Sequence, residues 1–301
     1  MKRSSKEERF FYTGIVMEII KASVLGFCFG VRRAVELAEK AITENAGCSV
    51  FSLGPLIHNE EYLKKLENAG LKIIEENEID SIPENSVVII RAHGVTPSVI
   101  QRLELKKCKI MDATCPRVKA SQKMVERYTS QNDYIILSGD KNHGEVIGIA
   151  GYAGKNFSLI QNIAETEKMD FSVFEDNNVI LMSQTTFSEV EFSQIEAFLK
   201  SKIKNFTVMN TICPATKERQ EALIELCQKV EGILIIGGKT SANTKRLYQS
   251  AMKHNQNVAL IQTEKDIPQQ FYNYKSVGIT AGASTPDNII AAVEKKLKEC
   301  N

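Results

Sequence analysis

The chain has 301 residues and a formal charge of +1, and 43% of its residues are hydrophobic and 25% charged. This composition is typical of a folded protein of two or three domains, and the near-neutral charge without basic runs argues against a nucleic-acid partner. The early apolar stretch FFYTGIVMEII is interrupted by Glu18 and is not followed by a small-residue cleavage site. We therefore expect no secretory signal, no membrane role and a cytoplasmic location.

Three segments of the chain repeat one pattern, in which a short apolar strand leads through a cysteine into an amphipathic helix. Their cysteines are Cys28 in GFCFGVRRAV, Cys115 in DATCPRVKAS and Cys213 in NTICPATKER. Pro116 and Pro214 suit the first helical turn, where a missing N–H breaks no hydrogen bond. The repeat predicts three related units, each with a cysteine at a corner between strand and helix.

Two further strands in each unit end in polar loops. The loops after the first of these strands contain His58 and Asn59, then His143 and Glu145, then Ser241 and Asn243. The loops after the second contain His93, then Gln184, Thr185 and Thr186, then Ser284. Ligand-binding residues of parallel sheets lie just beyond the carboxyl ends of the strands. We therefore expect these loops to face one site.

The alternation of strands and helices is typical of parallel sheets that carry helices on both faces. We predict an α/β fold of three similar parallel-sheet αβα units around a pseudo-threefold axis, with the cysteines at the centre. The predicted units span residues 17–108, 109–205 and 206–301, and residues 1–16 form an N-terminal extension.

A thiol at a helix N-terminus is stabilised as thiolate by the helix dipole and by free N–H groups. One such cysteine would suit a nucleophile, but three equivalent ones are better explained as ligands of a shared centre. Thiolates alone select zinc or an iron–sulfur cluster, and structural zinc usually takes a fourth ligand and close C-x-x-C pairs, which this chain lacks. We therefore predict a 4Fe–4S cluster with one open iron. The other cysteines are expected to be structural: Cys48, Cys108, Cys227 and Cys300.

The histidine, hydroxyl and amide side chains of the loops are hydrogen-bond donors without an arginine or lysine cluster. With N–H groups at helix starts they suit a phosphate or diphosphate, although each Ser, Thr or Asn alone is equally explained as a helix cap. Glu145 is the only carboxylate among the loop residues named above; we expect a general acid, and the alternative is a surface acid. Asp112 is expected to organise the turn before Cys115 by Asx-type hydrogen bonding.

Nine motifs, in one order from about Met17 to the C-terminus, resemble those of the 4-hydroxy-3-methylbut-2-enyl diphosphate reductases. They are GFCFGVRRAV, HN at 58, RAHGV, DATCP, HGEVIG, SQTT, NTIC with ATKERQ, SANT and TAGAST. Enzymes of this family catalyse the last step of the methylerythritol phosphate (non-mevalonate) isoprenoid pathway. They remove the substrate hydroxyl as water with two electrons and protons, and release isopentenyl diphosphate and dimethylallyl diphosphate.

The resemblance implies three α/β units around a 4Fe–4S cluster held by Cys28, Cys115 and Cys213, with the substrate hydroxyl on the open iron. A ferredoxin or flavodoxin would supply the electrons. Glu145 matches the proton donor, and Thr185 and His143 complete the implied catalytic set. The implied substrate-binding residues are His58, His93, His143, Thr185, Ser241, Ala242, Asn243 and Ser284.

The chain departs from the family pattern at three positions near these motifs. Phe29 stands where many relatives have alanine, Gly144 where proline is frequent, and Ala242 where a second serine can occur. The last change removes a hydroxyl from the diphosphate site but keeps the backbone N–H. Residues 1–16 have no counterpart in the pattern, and MEIIKASVLGF reads like a natural start. We expect Met17 to be the true initiator or the extension to be disordered.

Two alternatives remain open at this level. Quinolinate synthases also have three related α/β units and three cysteines on a cluster, but their chemistry needs carboxylate-binding groups rather than the His, Ser and Asn set. A zinc-stabilised binding protein would use the three thiols and a histidine. Metal analysis of anaerobically purified protein would distinguish zinc from iron.

Overall fold

The computed structural model describes residues 17–45, 47–57, 59–175 and 177–299. The predicted extension, residues 1–16, lies outside these ranges, and so do His58 and Cys300. In the described ranges no helix is long and apolar enough to cross a membrane. The cytoplasmic location stays a prediction.

The described residues contain twelve short strands of three to six residues each. Numbered β1 to β12 in chain order, they are Glu18–Lys21, Val50–Leu53, Leu71–Ile74, Val87–Ile90, Lys109–Asp112, Tyr134–Ser138, Phe157–Ile160, Val179–Ser183, Phe206–Val208, Gly232–Ile236, Val258–Ile261 and Ser276–Ala281. The central strands are rich in Ile, Val and Leu, which suits strands that are buried on both faces.

Ten α-helices alternate with these strands in the same part of the chain. Numbered α1 to α10, they are Phe29–Glu44, Glu60–Asn68, Pro97–Leu105, Pro116–Ser130, Gly144–Ala150, Ile163–Thr166, Glu189–Lys202, Pro214–Cys227, Ala242–His254 and Asp287–Glu299. Short 3-10 turns occur at Glu76–Ser81, Phe171–Phe174, Glu264–Asp266 and Gln269–Asn273.

The strands form three sheets of four strands, and every pair in them is parallel. The strand orders are β3-β2-β4-β5, β7-β6-β8-β9 and β11-β10-β12-β1. All three sheets therefore follow one plan, in which the strand that precedes a cysteine forms one edge. The predicted α/β fold of three similar parallel-sheet units is confirmed.

The strand before each cysteine is hydrogen bonded into the sheet of the preceding unit. β5 pairs with β4, β9 pairs with β8, and β1 pairs with β12. The boundaries taken from the sequence place β5 and β9 in the following unit and β1 in the first. Because β1 completes the third sheet, the three units are joined in a ring, and each cysteine lies at a junction between two units.

Each sheet has a hydrophobic cluster on either face, as a doubly covered parallel sheet requires. In the first sheet, Val87 and Ile89 of β4 pack with α1, whereas Val88 and Ile90 pack with α3. This alternation follows from the two-residue period of a strand. Complete burial of such a side chain contributes about 1.5–3 kcal/mol. The helices are thereby held on the sheets, and the strand ends that carry the polar loops are fixed.

Candidate functional site

Each cysteine of the repeat is the residue immediately before a helix. Cys28 precedes α1, Cys115 precedes α4 and Cys213 precedes α8. Pro116 and Pro214 are the first residues of their helices, as predicted. The three thiols therefore occupy equivalent corners, each beside the free N–H groups of a helix start.

The backbone of each corner is attached to the loop after the third strand of a sheet. The N–H of Cys28 donates to the carbonyl of Ala283 at 3.1 Å, and that of Cys115 donates to Ala92 at 2.9 Å. The N–H of Cys213 donates to the carbonyl of Thr185 at 2.8 Å. These loops follow β12, β4 and β8, so the same hydrogen bond occurs at all three junctions and sets each cysteine against a polar loop.

The turn before Cys115 is held by Asp112, as predicted. Its Oδ1 accepts a hydrogen bond from the N–H of Thr114 at 2.9 Å, which is an Asx-type contact. Lys119 forms an ion pair with the same carboxylate. Arg33 of α1 donates to the carbonyls of Thr114 and Asp112 at 3.2 and 3.1 Å. The corner is thus fixed from both sides of the junction.

One cavity lies where the three units meet, and all three of these cysteines border it. Its space not filled by protein atoms is about 890 Å³, a volume that includes open solvent at its mouth. The loop residues Asn59 and Gln184 do not line it, whereas the cysteine, catalytic and substrate-binding residues implied by the family resemblance line it together wherever the structure describes them: Cys28, His93, Cys115, His143, Glu145, Thr185, Cys213, Ser241, Ala242, Asn243 and Ser284. The binding role of His58 stays a prediction because this residue lies outside the described ranges.

Gly30 brings the corners of Cys28 and Cys115 close together. A Cβ atom at Gly30 would lie 2.7 Å from Sγ of Cys115, so a larger residue would displace the thiol. Burial raises the pKa of the Cys115 thiol; N–H groups at the start of α4 lower it, and the charges of Cys28 and Cys213 raise it. Cys28 and Cys213 are therefore both near enough to Cys115 to act on its charge.

Arg219 of α8 is a buried cation beside these thiols. It is 3% exposed and lines the cavity. Its guanidinium donates to the carbonyl of Ala281 at 2.8 Å and to that of Gly26 at 2.9 Å. Burial lowers the pKa of Arg219, and the thiolates of Cys28 and Cys213 raise it. A buried cation is unfavourable without a nearby negative charge, and thiolates at Cys28 and Cys213 would provide one.

Glu145 is buried in the first turn of α5 and is 2% exposed, so it is not a surface acid. Its carboxylate accepts the backbone N–H of Thr185 at 2.6 Å and the Thr185 hydroxyl at 2.8 Å. Burial raises the pKa of Glu145 to about 7, although the Thr185 hydrogen bonds and the Arg246 charge lower it. A carboxyl with this pKa can both hold and release a proton near neutrality.

His143 and His93 bring two imidazoles to the same side of the cavity. Nδ1 of His143 accepts the N–H of Glu145 at 3.3 Å, which places the proton of the neutral imidazole on Nε2. The two rings meet edge to face, with centroids 4.9 Å apart. The tautomer of His143 is thereby linked to the first turn of the helix that carries Glu145.

Side chains of the third unit supply further hydrogen-bond donors. Ser241 caps α9, because its Oγ accepts the N–H of Thr244 at 3.3 Å. Nδ2 of Asn243 and Oγ of Ser284 are buried and make no hydrogen bond within the described residues. An unsatisfied buried polar group costs about 1–3 kcal/mol. Both residues line the cavity, and a polar ligand at the positive end of α9 would offer these atoms a partner.

The donor set fits an iron–sulfur cluster. Three thiols border one cavity with a cation beside them, and the other described cysteines do not line it. Within the described residues, no three His, Cys, Asp or Glu side chains converge on the position of a single metal ion. Thiolates of a four-iron cluster bind separate irons, so they stand farther apart than the ligands of one ion. The arrangement of the thiols suits this larger group.

A family model described as LytB protein matches residues 19–298 of the chain. The chain belongs to the LytB family. The 4-hydroxy-3-methylbut-2-enyl diphosphate reductase of Treponema denticola is 44% identical over 289 residues, which cover 94% of this chain and 100% of that protein. The family resemblance expected from the motifs is confirmed.

Two solved structures named as this reductase share the LytB fold described above. The enzyme from Plasmodium falciparum superposes on this chain with a TM-score of 0.86 at 30% sequence identity. The match covers 93% of this chain and 87% of the Plasmodium chain. A second, titled as the terminal enzyme of the non-mevalonate pathway, has a TM-score of 0.71 at 37% identity, with coverages of 94% and 99%. The chain is an oxidoreductase of the LytB family.

The sequence motifs did not identify every residue that lines the cavity. Arg219 lies within the ATKERQ motif, but an arginine on a helix ordinarily indicates a solvent-facing position. Thr216 lines the cavity, and its hydroxyl donates to the carbonyl of Thr185 at 3.2 Å. Apolar residues complete the wall: Val31, Leu56, Ile57 and Val118. Thr216 and Arg219 lie three and six residues beyond Cys213, and this helical spacing of three was the available signal for inward-facing side chains.

Proposed function

We propose that this protein reduces 4-hydroxy-3-methylbut-2-enyl diphosphate to isopentenyl diphosphate and dimethylallyl diphosphate. In this reaction the C–O bond of the allylic alcohol breaks, the oxygen leaves as water, and the remaining carbon skeleton gains a proton. Two electrons and two protons are consumed. The observation that carries the proposal is one cavity that holds three helix-terminal thiols, a buried carboxyl and unsatisfied polar donors.

Cys28, Cys115 and Cys213 would hold a 4Fe–4S cluster. When bound, this group supplies electrons one at a time and a Lewis-acidic iron with an open coordination position. Arg219 offsets the negative charge of the thiolates from within the protein. A reduced ferredoxin or flavodoxin is the proposed source of electrons.

The diphosphate is bound by hydrogen bonds rather than by a cluster of cations. Asn243 and Ser284 offer buried donors that have no other partner in the described residues, and Ser241 and Ala242 begin α9. The free N–H groups and the positive dipole of a helix start attract phosphate oxygens. Imidazole N–H groups, including that of His93, complete the proposed set.

Glu145 is the proposed proton donor. Its pKa of about 7 keeps a substantial protonated fraction at neutral pH. Thr185 fixes the carboxyl through two hydrogen bonds. Its hydroxyl would pass a proton between the acid and a substrate hydroxyl. The apolar wall excludes water, which strengthens these interactions.

Anaerobic reconstitution with iron and sulfide tests the proposal directly. We expect about four irons per chain, and reduction of the alcohol substrate to the two isoprenyl diphosphates with a reduced dye. Cys115→Ser should lose the cluster, whereas the control Cys48→Ser, at an exposed cysteine, should retain it. Stoichiometric zinc without iron in natively purified protein would instead favour a zinc-stabilised binding protein.

A further inference from the structure

Arg246 of α9 joins the third unit to two loops of the second. Its Nη2 donates to both carboxylate oxygens of Asp140, at 3.1 and 3.0 Å. Its Nη1 donates to the carbonyl and to the hydroxyl of Thr186. The guanidinium carbon also lies 5.7 Å from the ring centroid of Phe187. One side chain therefore contacts the loop after β6 and the loop after β8 together.

The two loops are also bonded to each other, so the contacts form a closed network. Gln184 accepts the N–H of Asp140 at 3.0 Å and donates from Nε2 to the Thr186 hydroxyl at 2.9 Å. We call the four residues Arg246, Asp140, Gln184 and Thr186 the clasp. Two of them adjoin residues that contact the proposed acid: Thr186 follows Thr185, and the carbonyl of Asp140 accepts the N–H of His143 at 2.9 Å.

We propose that Arg246 is a positioning residue, which holds the diphosphate-binding start of α9 in register with the Glu145–Thr185 pair. The inference rests on the proposed function, because it concerns the relation of those two parts of one site. Ser241 and Asn243 stand on the same helix as Arg246, within its first two turns. A movement of α9 away from the second unit would separate the bound diphosphate from the acid.

The geometry of the clasp matters more than the energy of its ion pair. The side chains of Arg246 and Asp140 are 18% and 45% exposed, and ion pairs in such positions contribute little to stability. A planar guanidinium, in contrast, can bond a carboxylate and a second loop at fixed angles, which a lysine cannot do. Lysine at this position keeps the positive charge but loses the planar group that bonds both loops.

The clasp also acts on the acid through charge. Glu145 is faced by Arg246 from α9, by Asp140 and His143 from its own loop, and by the imidazole of His93 next to His143. Burial raises the pKa of Glu145, Arg246 lowers it, and Asp140 raises it. Loss of the arginine and loss of the aspartate should therefore move this pKa in opposite directions.

The test compares Arg246→Met, Arg246→Lys and Asp140→Asn with Lys245→Met, which removes a charge from an exposed neighbour on the same helix. In reconstituted protein we expect Arg246→Met to lower kcat by about tenfold to a hundredfold, through misplacement of reacting groups, and to raise KM. Arg246→Lys should recover part of kcat. The alkaline limb of the kcat–pH profile should move to higher pH in Arg246→Met and to lower pH in Asp140→Asn.

A second measurement does not depend on turnover. Amide hydrogen exchange at Thr185 and Glu145 should be faster in Arg246→Met than in the wild type and in Lys245→Met. If Arg246→Met and Lys245→Met have the same kinetic constants, the same alkaline limb of the pH profile and the same amide exchange, Arg246 is not a positioning residue. If wild-type protein fails to reduce the substrate, the proposed function is wrong, and the exchange measurement still decides whether Arg246 positions these loops.

Discussion

Thr185 donates two hydrogen bonds to the carboxylate of Glu145, one from its backbone N–H and one from its hydroxyl, at 2.6 and 2.8 Å. The carbonyl of the same threonine accepts the N–H of Cys213. One residue thus connects the proposed proton donor to a proposed cluster ligand across the junction of the second and third units. The proposed proton donor and the proposed cluster ligand are held in a fixed relation because both are hydrogen bonded to this residue.

Glu145→Gln should retain iron content and diphosphate affinity but lower kcat by about a hundredfold or more, the usual contribution of general acid catalysis. The amide preserves the size of the side chain and can still accept the Thr185 N–H, but it carries no transferable proton. Anaerobic steady-state kinetics, iron analysis and calorimetry with isopentenyl diphosphate measure the three quantities. Glu36→Gln, at an exposed position of α1, is the control. Undiminished turnover in Glu145→Gln would remove this residue from its role.

The rate should depend on pH through the same carboxyl. The protonated form donates, so kcat should be constant at acid pH and fall as the pH rises through about 7, the pKa of Glu145. In Thr185→Val the side-chain hydrogen bond that lowers this pKa is lost, and the alkaline limb should therefore move to higher pH. Thr185→Ser keeps the hydroxyl and should keep the wild-type limb. A limb that stays in place in Thr185→Val would contradict the assignment.

Gly30→Ala should weaken cluster binding although it changes no ligand. The added methyl group would lie 2.7 Å from Sγ and 3.0 Å from Cβ of Cys115, so the thiol must move or the two corners must separate. We expect lower iron content after reconstitution and faster loss of the cluster in air. Gly154→Ala adds a methyl group 3.0 Å from Thr129 on the surface of the second unit and should leave iron content unchanged.

The three corners and their loops could be predicted from sequence because the signals are local. A cysteine before Pro116 or Pro214, after a short apolar run, indicates a strand-to-helix turn without reference to distant residues. Polar residues that follow buried strands indicate the edge of a parallel sheet. The joint lining of one cavity by His93, Glu145 and Ser284 follows from the repeat of this edge in three units.

Contacts between units could not be predicted in the same way. The pairing of β1 with β12 joins the two ends of the described chain, and no local pattern specifies which sheet an edge strand completes. Arg219 and Arg246 lie on helices, where arginine usually faces solvent, but each also donates to a residue of a neighbouring unit, Gly26 and Asp140 respectively. The roles of such residues can be recognised only from the contacts between units in the folded structure.

Arg219→Met should impair the protein in two measurable ways. Its guanidinium donors to Ala281 and Gly26 would be lost, and a buried carbonyl left without a donor typically costs about 1–3 kcal/mol of unfolding free energy. Loss of a positive charge beside Cys28 and Cys213 should also lower the reduction potential of a bound cluster, because the reduced form carries more negative charge. Denaturant unfolding and anaerobic redox titration measure the two effects.

Two further variants serve as controls. Arg219→Lys should restore most of the reduction potential but less of the stability. Lys217→Met, at an exposed position of the same helix, should change neither. A potential that is identical in Arg219→Met and the wild type would show that this cation serves packing alone.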